Sequence, residues 1–223
     1  MSDLFTFDLA DGMASGACPV CYAIVAHLER WLTSFWQEGR QDPEARLRFY
    51  AAGGFCRDHI WLLEDVDVRH AAGVADVYSH LATRDLAALD ETLRGAHGRR
   101  RRRSLAREAG CPACEEEHDA TARKVDFLLQ LLTSETGREC YERSEGACLP
   151  HLIKLLDRAE PEPARFLLVD AQRRLRALRD RLEHFDRTRD HRYARERTGD
   201  DERACHDAIE RYAGRRAARP HIP

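Results

Sequence analysis

Residues 18–21 read CPVC and residues 56–59 read CRDH; further along, residues 111–114 read CPAC and 148–151 read CLPH. The second set repeats the first. Cys111 lies 93 positions after Cys18, and Cys148 lies 92 after Cys56, so both pairs return in the same order at nearly one offset. The flanks return with them. Residues 50–55, YAAGGF, stand against 142–147, ERSEGA, and Ile60-Trp-Leu-Leu-Glu-Asp stands against Leu152-Ile-Lys-Leu-Leu-Asp. Arg46 falls opposite Arg138. A shared period across ligand-type residues and their neighbours is the mark of an internal duplication.

Around these motifs the apolar residues recur at helical spacing: Ile24, Leu28, Trp31, Leu32 and Phe35 in the first copy, Val125, Leu128, Leu129 and Leu132 in the second. Val74, Val77, Leu81, Leu86, Leu89 and Leu93 predict a helix closing the first copy. Leu168, Ala171, Leu175, Leu178, Leu182 and Phe185 form a 3-4-3-4-3 seam, read as an intramolecular packing stripe in preference to a dimer seam. Hairpin signals are nearly absent. The expected fold class is therefore all-α: two tandem metal-stapled helical repeats with a long C-terminal helix. The expected division is 1–94 and 108–190 for the two repeats and 95–107 for an Arg-rich linker. Residues 191–223 form a polar helix and tail, with a short helix around 202–212.

The residue types explain the chemistry. Thiolates and a neutral imidazole suit a borderline-soft cation such as Zn²⁺. Pro19 and Pro112 fix φ directly after the first cysteine, where a helix can start. Cys56 and His59, like Cys148 and His151, are three apart, which on a first helical turn puts both on one face. A helix N-terminus also favours a thiolate. Gly54 and Gly146 precede the second pair by two residues, where a turn must deliver the chain into a new helix. Each copy is expected to supply one Cys₃His centre: Cys18, Cys21, Cys56 and His59 in the first, Cys111, Cys114, Cys148 and His151 in the second. Each would staple two helices some 35 residues apart. A closed set of four ligands marks a structural ion, whose binding energy becomes folding energy. Disulfides or a redox-active Cys-x-x-Cys leave the paired histidines unexplained, and no βαβ pattern surrounds either motif. Two zinc ions are the expected cofactors, with iron–sulfur clusters as the alternative.

The combination of twin CPxC and GxCxxH motifs resembles a bacterial family of unknown function, DUF6062, over roughly residues 18–214. The closing part of the family is echoed by Asp190-His-Arg-Tyr, Glu202 and Ala208-Ile209. The resemblance implies a two-copy helical protein with metal sites on the eight residues named above. It implies no reaction.

The remaining signals are weaker. Cys140 is read as a core cysteine and Cys205-His206 as incidental. Trp31, Trp36 and Trp61 are read as core, and His27 and His184 as helix residues without chemistry. Glu115-Glu-Glu-His118 contains a Glu-x-x-His spacing found in di-iron helices, but further carboxylate partners are missing. Charged residues make up 34% of the 223-residue chain and balance to −3, so the molecule as a whole does not read as an obvious polyanion binder. Arg99–Arg103 is read as a solvated linker in preference to a phosphate-contacting run. No Walker loop, GxGxxG, GxSxG or HExxH is present. No apolar run spans a bilayer and the N-terminus has no signal-peptide pattern, so the expected location is cytoplasmic, with no membrane partner. The functional expectation is a zinc protein with a structural or interaction role and a protein partner, nucleic acid being less favoured. A redox-responsive or electron-transfer protein is the alternative, and a metalloenzyme ranks last because no general base is placed.

Overall fold

Pro19 and Pro112 each open a long helix, as a residue with a fixed φ and no N–H can at a first helical position. The computed structural model describes residues 3–38, 41–66, 71–94, 110–196 and 198–214. Among these it forms ten α-helices, one 3-10 turn and no strand. The first copy holds α1 (Asp3–Ala14), α2 (Pro19–Gln37), α3 (Pro43–Ala51), α4 (Arg57–Val66) and α5 (Ala71–Leu93). The second holds α6 (Pro112–Leu131), α7 (Glu135–Arg143), α8 (Leu149–Leu156) and α9 (Pro161–Thr188). The turn Ala194–Glu196 and α10 (Gly199–Ala213) close the described chain. In chain order α2, α3, α4 and α5 follow the first CPxC as α6, α7, α8 and α9 follow the second. The long C-terminal helix is α9, and α10 contains the expected short helix. Arg99–Arg103 and most of the linker lie outside the described residues. No described helix is long and apolar enough to cross a membrane.

The compact units do not coincide with the sequence repeats. Among the described residues, one, the terminal unit, gathers those within 3–26 and 120–214; the other, the middle unit, gathers those within 27–119. The expected boundaries followed the duplication, whereas the units follow helix length. At about 1.5 Å per residue, the 19 residues of α2 run about 28 Å and the 20 of α6 about 30 Å. Each helix begins in one unit and ends in the other. The nine-residue helices α3 and α7 run only about 13 Å, less than half the length of the helices they follow.

The middle unit is packed on aromatic rings. Phe35, Trp36, Phe49 and Phe55 are buried with Leu28, Leu32, Leu62 and Leu63. Phe55 meets Phe49 and Phe35 edge-on at centroid distances of 5.0 and 5.2 Å, a geometry that adds about 0.5–1.5 kcal/mol per pair to area burial. Of the tryptophans expected in the core, Trp36 is buried and Trp31 stacks on Phe35 at 5.4 Å. Trp61 is not core: it is 56% exposed, because α4 turns His59, Leu62 and Leu63 inward and Trp61 falls on the opposite face. On α5 the expected stripe is buried at Val77 and Leu81 but exposed at Leu86, Leu89 and Leu93.

The terminal unit is aliphatic, with Leu9, Val20, Val125, Leu128, Leu132, Leu155 and Leu167 buried. Within it the Lys124 ammonium meets the Asp8 carboxylate at 2.6 Å with no exposure of the lysine side chain. Breaking one partner of such a pair generally costs about 3–5 kcal/mol, because a charge is left behind in a poor solvent. Within the chain α9 packs mainly on α10. Its register differs from the expected one by one residue at the start, since Leu167 is buried and Leu168 half exposed. The buried row also takes in Asp170, whose oxygens hold Arg173 and, at 2.6 Å, Arg174. Cys140, expected in the core, is exposed. The nine-residue α7 buries Gly137 and Tyr141, and Cys140 lies beside that row, not on it.

Candidate metal centres

Each centre brings together the beginnings of two helices. The backbone carbonyls of Cys18, Cys56, Cys111 and Cys148 accept from the amides of Tyr22, Ile60, Glu115 and Leu152, so every motif opens on its own first helical turn. Cys148 is the N-cap of α8 in extended backbone geometry. Turn geometry delivers the second pairs: Gly54 and Gly146 have φ of 89° and 69°, a left-handed region that other residues enter only at a cost of about 1–2 kcal/mol.

The eight residues converge as two groups of four, but not by copy. Cys18, Cys21, Cys148 and His151 form one group in the terminal unit; Cys56, His59, Cys111 and Cys114 form the other in the middle unit. The expectation that each copy supplies its own centre is therefore corrected. The reason is the length of α2 and α6, each of which leaves its opening cysteines about 28–30 Å behind before the short return helix begins.

In each group the four donor atoms lie within 4.8 Å of one another. In the terminal unit the Cys21 and Cys148 sulfurs are 3.7 Å apart, and His151 Nδ1 stands 3.2, 3.3 and 3.6 Å from Cys148, Cys21 and Cys18. In the middle unit the Cys56 and Cys114 sulfurs are 3.6 Å apart, and His59 Nδ1 stands 3.2, 3.4 and 3.7 Å from Cys56, Cys114 and Cys111. A tetrahedral ion with metal–sulfur bonds of about 2.3 Å and a metal–nitrogen bond of about 2.0–2.1 Å holds sulfurs about 3.8 Å apart and each sulfur about 3.5 Å from the nitrogen. Both groups fit that figure, and none of the cysteines is in a disulfide. Two Cys₃His clusters that could hold a metal ion are thus present.

The two clusters are built differently. The terminal cluster has three buried cysteines and a half-buried histidine; the middle cluster has an exposed Cys114 and a half-buried Cys56. The loop feeding Cys56 is held by rings: Phe55 sits in the aromatic core, and Arg84 donates to the Tyr50 carbonyl at 2.6 Å. The loop feeding Cys148, with Ala147 where the first copy has Phe55, is held by polar groups instead. The Tyr141 hydroxyl accepts from the Ala147 amide at 2.8 Å. Arg174 donates to the carbonyls of Tyr141, Glu142 and Ser144, and Arg211 to those of Glu145 and Ala147. Gly146 leaves room for this clamp, since a Cβ there would lie 2.7 Å from Arg174 Nε.

Several of these positions escaped the sequence reading. Glu117 places a carboxylate oxygen 3.4 Å from His59 Nε2, fixing the ring so that Nδ1 faces the sulfurs. A signal for it existed, because Glu117 lies three residues after Cys114 on the same helix face. Its neighbours are engaged elsewhere, Glu115 with Arg48 at 2.6 Å and Glu116 with His27 at 2.7 Å, which disposes of the Glu-x-x-His spacing as a di-iron motif. Gly214 ends α10 with φ of 78°, and a Cβ on it would sit 3.3 Å from the Cys21 sulfur and 3.4 Å from that of Cys148. No local pattern announces Gly214, Arg174 or Arg211.

The electrostatics are those of thiolates crowded against imidazole. Burial opposes ionisation of Cys111, but the His59 ring and the amides of Cys56, Cys114 and Ala113 overcome it and bring its pKa down to about 6. Burial and the neighbouring sulfurs push Cys114 up to about 12. Burial disfavours charge on His59, yet Cys111, Glu117 and Cys56 outweigh it and raise its pKa to about 10. In the terminal unit hydrogen bonds from Cys148 and Cys21 hold Cys18 well below the usual thiol range, and the same network drives Cys21 up. His151 is raised to about 9 as Cys148 and Cys18 outweigh its burial.

Fold and site together define a protein that is helical throughout its regular structure among the described residues and carries two Cys₃His clusters. The chain belongs to DUF6062, a family of unknown function, which it matches over residues 3–218. No curated protein and no solved structure matches it.

Two outcomes follow from this geometry. Near pH 7.5 the metal-free middle cluster carries protons on His59 and Cys114 that an incoming cation must expel. Its metal affinity should therefore fall as pH falls, by at least about two decades per pH unit, since each ligand proton released adds one decade. Competition against a chelator at several pH values checks this. Replacing Gly214 with Ala forces a left-handed backbone and presses a methyl onto two sulfurs. It should weaken metal binding in the terminal unit by about tenfold, from roughly 1–2 kcal/mol of strain, and leave the middle unit unchanged. Chelator competition on the variant reads both.

Proposed function

We propose that the protein binds two zinc ions, one per Cys₃His cluster, and that the ions are structural. The observation that supports this best is a closed set of four donors at single-ion spacing, joined across 55 residues of chain between Cys56 and Cys111 in the middle unit and across 130 between Cys21 and His151 in the terminal unit. An iron–sulfur cluster, whose four ligands are shared among two or four irons, calls for donors more widely spread than those around one ion. Each zinc would tie two helix N-termini whose positive ends favour the negative charge of a Cys₃His–Zn²⁺ centre. On this reading the protein presents a helical surface to a protein partner. The exposed Leu86, Leu89 and Leu93 on α5 support such a role.

Paired substitutions test the reading. Cys18→Ser and Cys56→Ser should each lower zinc content from about two to about one per chain, as single-ion Cys₃His sites require. Cys18→Ser with Cys148→Ser should still leave one, whereas Cys18→Ser with Cys56→Ser should leave none. Iron and sulfide in the purified protein, or one ion left in the last variant, would sink it.

A second reading, redox response, is favoured by the exposure of Cys114 and the 3.6 Å separation of its sulfur from that of Cys56. A hydroperoxide would accept two electrons from these thiolates, forming a disulfide and giving water and an alcohol or a second water, with zinc released. Peroxide should then free zinc from the middle unit before the terminal unit, followed with a chromogenic chelator. Equal rates for the two, or no release, would count against it.

A further inference from the structure

A cavity of about 470 Å³ opens in the terminal unit against its metal cluster, with Cys18 and Cys148 forming part of its wall. That volume falls within the roughly 300–1,000 Å³ of small-molecule sites. Four guanidinium groups line it, those of Arg174, Arg181, Arg203 and Arg211. Three carboxylates, Glu145, Asp207 and Glu210, stand among them, so these seven side chains sum to one positive charge beside the sulfurs of Cys18 and Cys148.

The arginines fall into two kinds. Arg174 and Arg211 direct donors at the loop carbonyls before Cys148, so they are fixed parts of the wall. Arg181 and Arg203 are held only by exposed partners. Arg181 meets Asp207 at 2.7 Å with each side chain 39% exposed, and Arg203 meets Asp200 at 3.1 Å with both side chains about three-quarters exposed. Exposed pairs of this sort are worth about 0–1 kcal/mol, so a ligand oxyanion can exchange for them at little cost. A guanidinium fork matches the paired oxygens of a carboxylate or phosphate. Ala177 and Leu178 add a small apolar stretch on the α9 side.

We propose that this cavity is a binding site for a small oxyanion, phosphate or carboxylate, gripped by Arg181 and Arg203 and lying beside the Cys18–Cys148 edge of the cluster. The walls are the same whichever ion the cluster holds, so the site goes beyond the zinc reading and does not rest on it.

Isothermal titration calorimetry on the full chain, with inorganic phosphate and with succinate in turn, tests it. Saturable one-to-one binding of either probe is expected; phosphate alone identifies a phosphorylated ligand, succinate alone a carboxylic acid. The double variant Arg181→Ala/Arg203→Ala should weaken binding at least tenfold. Ala177→Glu, which removes no ion pair and adds a negative charge to the wall, should do the same. Arg143→Ala, an exposed arginine of α7 outside the cavity, should leave it within twofold. Absence of saturable binding at millimolar concentrations of both probes overturns the proposal. So does an equal loss in Arg143→Ala, or unchanged binding in Ala177→Glu.

Discussion

Everything in this protein hangs on the convergence of two helix N-termini at one point, repeated once in each compact unit. Four small donors must meet within a sphere a single ion can span, and all four are delivered by first turns: two from a Cys-Pro-x-Cys, two from a Cys-x-x-His. Backbone amides at such turns are unpaired within the helix and carry partial positive charge, so they tolerate sulfur anions. The Cys56 amide, 3.3 Å from the Cys111 sulfur, shows the same economy between partner turns. The surrounding helices are arranged to make those ends meet, and the cores differ around them.

That difference separates two ways of holding one shape. In the first copy the approach to Cys56 is fixed by rings, with Phe55, Phe49 and Phe35 in mutual contact. In the second, Tyr141 occupies the place of Phe49, and its hydroxyl, with Arg174 and Arg211, replaces apolar contact by hydrogen bonds to main-chain groups. Ring packing asks for no polar partner. The arginine clamp brings charge to the edge of the cluster, where Arg174 and Arg211 form part of the wall of a cavity.

The eight donors were legible because metal ligation leaves a local trace: spacing, a following proline and a preceding glycine. The all-helical class was legible from apolar periodicity for the same reason. Which cysteine pair meets which Cys-x-x-His pair was not, since that depends on where α2 and α3 end, and helix ends are weakly encoded between strong motifs. Trp61 and Cys140 show a second limit. Their apolar character suggested burial, but α4 and α7 are short helices with narrow buried rows, and a one-residue step turns a side chain by about 100°. Arg174 and Arg211 lie 26 or more residues from Cys148 and answer to no periodicity at all. The buried Asp8–Lys124 pair, 116 residues apart, is equally silent in the sequence.

The length of α2 has a consequence for the growing chain. Synthesis from the N-terminus releases Cys18, Cys21, Cys56 and His59 first, and these alone are a complete Cys₃His set. Nothing in their chemistry distinguishes that set from the native ones. A formed α2, about 28 Å long, sets Cys18 and Cys21 a full helix length from the segment that goes on to Cys56. Both native clusters draw on the second copy, Cys111 and Cys114 for one and Cys148 and His151 for the other. Neither donor set is therefore complete on the growing chain until the second CPxC has been made.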